Sequence, residues 1–126
     1  MRLAICDDND LERNLLYTLL QKYFSENSVR CEFTLYDRGT TLYYDVLEDM
    51  EFDIIFLDPP YESGLLEQAM EKIAQFDILS PHGIMVAESP QNQTLPELPA
   101  PYGLYREYRY GKIKVSIYHR AVEEEA

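Results

Sequence analysis

Short apolar runs alternate with amphipathic stretches over the first ninety residues of the chain. The runs at residues 2–6, 29–36, 52–57 and 83–88 predict strands, and the uninterrupted run FDIIFL is typical of a central parallel strand. The amphipathic segments between them predict helices, at 11–24, 38–50 and 65–73, with Asp10 as the N-cap of the first. This alternation favours an α/β fold built on a parallel sheet.

The pattern changes after residue 88. Residues 89–103 contain four prolines and predict a loop, because proline interrupts both helices and sheet ladders. Residues 105–110 and 112–119 flank Gly111 and predict an antiparallel hairpin. We therefore expect residues 1–126 to form one domain, a three-layer doubly wound sheet that is mostly parallel with one antiparallel strand near the C-terminus. Residues 121–126 are expected to be an acidic tail.

Charge and hydropathy narrow the possible partners. The 126 residues carry a formal net charge of −12, from 11 Lys and Arg against 23 Asp and Glu. This balance argues against nucleic acid as a partner, because phosphate binding needs clustered basic residues. No apolar run is long enough to span a membrane, so we expect a cytoplasmic protein without a membrane partner. The basic residues near the C-terminus are expected to line a solvated sheet face: Arg106, Arg109, Lys112, Lys114 and Arg120.

Three carboxylates follow the ends of predicted strands. Asp7 and Asp8 come directly after the first strand, and Asp58 ends the third. The carboxyl ends of these strands face each other across the switch point of a doubly wound sheet. A divalent cation such as Mg²⁺, which prefers oxygen ligands, would relieve the repulsion between them. An equally open alternative is that these acids only end strands and begin helices.

Residues 1–58, which include MRLAICDDND and FDIIFLD, resemble the receiver domain of bacterial response regulators, of the kind that precedes LytTR-type DNA-binding domains. The resemblance implies a flavodoxin-like fold, Mg²⁺ held by Asp7 and Asp8, and Asp58 as the acceptor of a phosphoryl group. No segment resembles the DNA-binding output domain. A receiver also needs a Ser or Thr and a Lys after its later strands, and three residues lie near those places: Ser89, Lys112 and Lys114.

Residues 52–120 resemble the C-terminal half of the bacterial small-subunit rRNA guanine-N2 methyltransferases, which have a Rossmann-like fold. The similarity extends through DPPYESGLLEQAMEKI, IMVAES, LPELPAPYG and YREYRYGKIKVSIYHR. In such enzymes the acid and the proline carbonyls of DPPY accept hydrogen bonds from an exocyclic amine, and the aromatic residue stacks on the flipped base. By resemblance, the catalytic residues would be Asp58, Pro59, Pro60 and Tyr61. As a bare motif, DPPY is also typical of a turn between a strand and a helix.

The part of a methyltransferase that binds S-adenosylmethionine has no counterpart in the first strand–helix unit. A glycine-rich loop after the first strand normally lets the backbone approach the cofactor. Here that loop reads CDDNDLE, with no glycine, and we expect the usual basic N-terminal extension to be absent. We therefore expect no cofactor-binding residues.

Because FDIIFLD belongs to both resemblances, we interpret the sequence as an engineered chimera of a flavodoxin-like and a Rossmann-like part. Combining the two parents predicts the strand order 2-1-3-4-6-5. A chimera would have no evolved activity: it would not be an enzyme, would require no cofactor, would have no certain partner, and would at most bind Mg²⁺ at Asp7, Asp8 and Asp58. Two alternatives remain open, a residual receiver with Asp58 as a Mg²⁺-dependent phospho-acceptor, and a residual S-adenosylmethionine-dependent rRNA guanine-N2 methyltransferase acting through DPPY.

Overall fold

The computed structural model describes residues 1–36, 51–58 and 64–120. The helix predicted at 38–50 therefore lies outside the described residues, as do Pro59, Pro60, Tyr61 and the acidic tail. The described helices are α1 (Asp10–Glu26) and α2 (Leu65–Phe76). The described strands are β1 (Arg2–Asp7), β2 (Glu32–Tyr36), β3 (Phe52–Asp58), β4 (Leu79–Pro90), β5 (Tyr102–Tyr110) and β6 (Ile113–Arg120).

The six strands form one sheet in the order β2-β1-β3-β4-β6-β5, which confirms the predicted order. The pairs β1–β2, β1–β3 and β3–β4 are parallel, and β6 is antiparallel to both of its neighbours. The turn between β5 and β6 is closed at Gly111, whose φ of +56° is a left-handed conformation that glycine adopts without steric cost. Such a short turn permits only an antiparallel return of the chain.

The principal hydrophobic core lies between the sheet and α2. Leu66, Met70 and Ile73 recur at helical spacing and are buried. They pack in one cluster with alternate residues of the strands, among them Ala4, Cys6, Ile55, Leu57, Met85, Ala87 and Tyr118. We call this side of the sheet the α2 face.

The intervening strand residues point to the opposite side, which we call the α1 face. Leu3 pairs in register with Phe33, and the Phe33 ring packs against Tyr17 and Phe24 of α1. Because side chains alternate along a strand, Ile5 and the strand-end Asp7 belong to the same face as Leu3. The α1 face therefore carries the acids at the carboxyl end of β1.

Polar contacts attach both ends of α2 to the C-terminal hairpin. At its C-terminal end, Asp77 accepts hydrogen bonds from the Tyr102 hydroxyl (2.6 Å) and from Arg120 Nη2 (2.9 Å). At its N-terminal end, the Lys114 ammonium donates to the Gln93 carbonyl at 2.6 Å, and the Gln93 amide contacts Glu67 in the first turn of α2. The segment that follows residues 59–63 is thus held against the hairpin.

No helix among the described residues is long and apolar enough to cross a membrane.

One buried polar group in the core is expected to destabilise the protein, so its removal should raise stability. The Ser116 hydroxyl is fully buried and has no hydrogen-bond partner in the described part of the chain. We expect Ser116→Ala to raise the free energy of unfolding by about 1 kcal/mol, because it removes an unsatisfied buried hydroxyl. Urea denaturation followed by circular dichroism measures the change.

The same substitution at position 80 is the control. The Ser80 hydroxyl donates to Asp53 at 2.6 Å, so Ser80→Ala should lower the free energy of unfolding by about 1 kcal/mol. Equal destabilisation by both variants would contradict the assignment of Ser116 as unsatisfied.

Candidate functional site

Asp7 and Asp58 lie side by side at the carboxyl edge of the two central parallel strands. They are register partners in the ladder between β1 and β3. Asp7 is buried and Asp58 is partly buried. This edge is the switch point of the sheet, because the chain leaves β1 towards β2 on one side and β3 lies on the other. Open α/β sheets bind ligands at this position.

The environment of these acids favours their neutral forms. Burial is the main reason that the pKa of Asp58 is raised to about 7. Neighbouring carboxylates act in the same direction, in the order Glu88, Asp7 and Glu12. Burial also raises the pKa of Asp7, against the opposing effect of a hydrogen bond from the backbone N–H of Asn9. The interaction between the two carboxyl groups raises the pKa of Asp58 and lowers that of Asp7, although burial keeps the pKa of Asp7 above its ordinary value.

The short connection from β1 to α1 brings a further acid to the site. Asn9, and not the predicted Asp10, caps α1, and its side chain accepts a hydrogen bond from the backbone N–H of Glu12 at 3.0 Å. Arg13 reinforces the turn by donating to the Asp7 carbonyl at 2.7 Å and to the Asp10 carboxylate at 2.6 Å. Glu12 thereby lies in the first turn of α1, facing the carboxyl edge of the sheet.

The carboxylate oxygens of Asp7, Glu12 and Asp58 all lie within 4.8 Å of one another, which is compatible with a shared divalent cation. Asp8, the other predicted ligand, is exposed and does not belong to this group. Glu12 and Glu88 were not among the site residues predicted from the sequence. Glu12 could have been found from its position in the first turn of a helix that directly follows β1. The Mg²⁺ site itself stays a prediction.

Two of the three remaining receiver candidates are on the wrong side of the sheet, and the third, Lys112, lies in the turn between β5 and β6. Ser89 pairs with Lys114, and both are buried on the α2 face, two residues along from Ala87 and Ser116. Asp58 is the next residue after Leu57 of the α2 face and therefore points to the α1 face. The Lys114 ammonium is bonded to the Gln93 carbonyl instead. Neither side chain is placed to assist phosphoryl transfer to Asp58.

A single protein family accounts for almost the whole chain. The family model described as conserved hypothetical protein 95 matches residues 8–119. The match continues across residues 52–58, where the two predicted parts of the chain would have been joined.

Relatives and solved structures agree with this match. The ribosomal RNA small subunit methyltransferase D of Escherichia coli K12 is 31% identical over 74 residues, which cover 59% of this chain and 37% of that protein. YlbH of Bacillus subtilis, provisionally named an rRNA methyltransferase, is 31% identical over 84 residues, or 67% of this chain and 46% of that protein. The chain thus matches less than half the length of these relatives.

The fold is shared with a conserved hypothetical protein of Streptococcus pyogenes. Its structure superposes with a TM-score of 0.66 at 23% identity, covering 95% of this chain and 86% of that one. At this level of identity the likeness establishes a common fold.

These findings correct several predictions from the sequence. The interpretation as an engineered chimera with a receiver-like part is wrong, because one family model extends through both parts. The prediction that the protein is not an enzyme and has no evolved activity is contradicted by relatives that are named methyltransferases. The net charge of −12 argues against a nucleic-acid partner, whereas the names of these relatives refer to ribosomal RNA. The chain belongs to the family described as conserved hypothetical protein 95.

Proposed function

We propose that this chain carries the base-binding part of an RNA methyltransferase that modifies an exocyclic amine of guanine in small-subunit rRNA. The observation that carries the proposal is Asp58, which ends the central strand β3 at the switch point and begins the DPPY segment. The chain's membership of the family and the names of the chain's relatives support the same activity. A cytoplasmic location accompanies the proposal, since bacterial ribosomes are assembled in that compartment.

Asp58 can both orient the target amine, which accepts the methyl group, and take up its proton. In its ionised form a carboxylate only accepts hydrogen bonds, so it can hold an N–H of the target amine and aim the nitrogen lone pair. Its pKa of about 7 also allows it to take up the proton that the nitrogen loses when it is substituted. By resemblance, Pro59 and Pro60 would offer carbonyl acceptors and Tyr61 would stack on the base, but these residues lie outside the described part of the chain.

The implied cofactor is S-adenosylmethionine, which supplies a methyl group on a cationic sulfur. The residues at the end of β1 fit only its positive charges, because Asp7, Glu12 and Asp58 would attract the sulfonium and ammonium groups. They do not fit its carboxylate, which these acids would repel. The connection from β1 to α1 also contains no glycine to admit it. We therefore assign no residue of this connection to the methyl donor and derive no step from it.

The first prediction from the proposed function concerns methyl transfer. We expect Asp58→Ala to reduce transfer from radiolabelled S-adenosylmethionine to guanine-containing RNA by about 100-fold or more, as for loss of one positioned hydrogen-bonding group. The matched control is Asp8→Ala, an exposed acid beside the site that should change the rate by less than about twofold.

An RNA in which inosine replaces guanine tests the target group, because inosine lacks the exocyclic amine and should accept no methyl group. Equal labelling of both RNAs, or no transfer by the unaltered protein, would refute the proposed function.

The second prediction concerns pH. The pKa of Asp58 is higher in the folded protein, about 7, than its ordinary value of 3.8, so the folded state binds more protons between these values. Stability should therefore fall as pH rises from about 4 to 7 and then level off. Asp58→Asn should flatten this slope and stabilise the protein at pH 8 by roughly 1–2 kcal/mol, a figure reduced for partial solvent screening. Urea denaturation at a series of pH values measures the effect; an unchanged slope in the variant would contradict it.

The third prediction concerns divalent cations. We expect Mg²⁺ to raise the melting temperature by a few degrees at pH 8, because it offsets repulsion among the acids at the end of β1 and β3. Asp58→Asn and Glu12→Gln should abolish the increase, whereas Asp8→Asn should retain it. Loss of the increase in Asp8→Asn alone would restore Asp8 to the ligand set, and an unaltered melting temperature in the parent protein would exclude a Mg²⁺ site.

A further inference from the structure

The register of the strands identifies the residues of the edge strand β5 that lie on the same face of the sheet as Asp58. Leu57 pairs with Ala87, so Glu88 follows beside Asp58 in the same register. Glu88 pairs with Val115, and Val115 pairs with Tyr108 of β5. Paired residues of neighbouring strands project to the same face. Tyr108 therefore lies on the α1 face, three strand spacings from Asp58, or about 14 Å at 4.8 Å per strand.

An aromatic surface surrounds Tyr108 on this face. Tyr105, Tyr108 and Tyr110 have relative exposures of 53%, 38% and 63%. The Tyr105 ring stacks on His119, with centroids 5.0 Å apart and planes at 30°. We call the five residues of this surface the β5 strip, namely Tyr105, Arg106, Tyr108, Tyr110 and His119.

Arg106 is held in place by the rings of the strip. Its guanidinium lies over the Tyr105 ring at 5.2 Å, and Nη1 is 3.4 Å from the Tyr108 hydroxyl. In the described part of the chain, no carboxylate lies within ion-pair distance of Arg106, whereas Arg109 is paired with Glu107 at 3.1 Å. Among the described residues, the strip thus presents an exposed and oriented positive charge without an ion-pair partner, on a protein whose net charge is −12.

We propose that the β5 strip binds single-stranded RNA next to the target base, by stacking bases on Tyr108 and Tyr110 and by holding a phosphate at Arg106, which the Tyr105 ring supports from below. This inference rests on the proposed function and adds the surface that would hold the flanking nucleotides. Sheet-borne tyrosines offer π-faces to bases of any identity, and a planar guanidinium suits phosphate oxygens. The carboxylate oxygens of Asp7, Glu12 and Asp58 converge at the other end of the row and disfavour phosphates there, which leaves the far end as the place for the RNA backbone.

The composition of the strip favours RNA over a protein partner. The exposed aliphatic residue of β5, Leu104, pairs with Tyr118 and so belongs to the α2 face, which leaves aromatic and basic groups on the strip. β5 is nevertheless an edge strand, and an edge can also pair with a second copy of the chain. Self-association is therefore a measured outcome of the test.

The test is the affinity of the full chain for a short fluorescein-labelled single-stranded RNA with one central guanine, measured by anisotropy. The double variant Tyr108→Ala/Tyr110→Ala should raise Kd tenfold or more, through the loss of two stacking rings. Arg106→Met should raise Kd and reduce the slope of log Kd against log salt by about 1, as for one lost phosphate contact. The matched control is Tyr23→Ala, which removes a similarly exposed tyrosine from α1 and should leave Kd within about twofold. Thermal melting establishes that each variant is folded.

Three outcomes would overturn the proposal. The first is an unaltered protein that does not bind the RNA, and the second is equal affinity of the strip variants and Tyr23→Ala. The third is a dimer, seen by sedimentation, that the double variant dissociates while RNA affinity is unchanged.

The proposed function is judged separately by methyl transfer. The strip variants should raise KM for RNA and retain kcat, whereas Asp58→Ala should lower kcat. Strip-dependent RNA affinity without any transfer would refute the methyltransferase and leave the strip standing.

Discussion

The parallel pairing of β1 with β3 creates the sheet edge on which the candidate site of this protein depends. It sets Asp7 opposite Asp58 at the edge where the chain diverges to both sides of the sheet. Two carboxyl groups cannot both be ionised cheaply at this separation in a partly buried position, so one of them keeps its proton near neutral pH. Burial raises the pKa of Asp58 to about 7, whereas the hydrogen bond from the backbone N–H of Asn9 acts to lower the pKa of Asp7. A backbone ladder thus sets the protonation of the group that begins DPPY.

Much of the architecture could be predicted from local pattern. The apolar runs located all six strands, and the short turn at Gly111 required β6 to run antiparallel to β5. The acids that form the site were harder to predict, because their identity depends on which side chains of an acidic stretch the turn after β1 directs towards Asp58. In CDDNDLE, every position from Asp7 to Glu12 except Asn9 and Leu11 is acidic. Only the cap at Asn9 decides that Glu12 faces Asp58 while Asp8 faces solvent.

The mistaken chimera has a physical explanation as well. A continuous apolar strand that ends in an acid is what any parallel strand beside a switch point requires, first to be buried on both faces and then to meet a ligand. FDIIFLD therefore looks alike in families whose chemistry differs. The two interpretations differ in the positions of residues that lie far along the chain from Asp58. Ser89 and Lys114 could have completed a receiver site only on the α1 face, and the register of β4 with β6 puts them on the other.

The side chains of β6 alternate between the two faces of the sheet, and the two sets have different roles. Lys114, Ser116 and Tyr118 point to the α2 face, where Lys114 and the neighbouring Gln93 attach the start of α2 to the hairpin. Val115, Ile117 and His119 point to the α1 face and support the aromatic side chains of β5. A slip of one residue between β4 and β6 would exchange these sets and bury Val115 and Ile117 under α2, at the cost of exposing Tyr118. The register of β4 with β6 therefore fills the core on the α2 face. It also keeps a polar, aromatic surface on the face of Asp58, so packing on one face and recognition on the other both depend on this ladder.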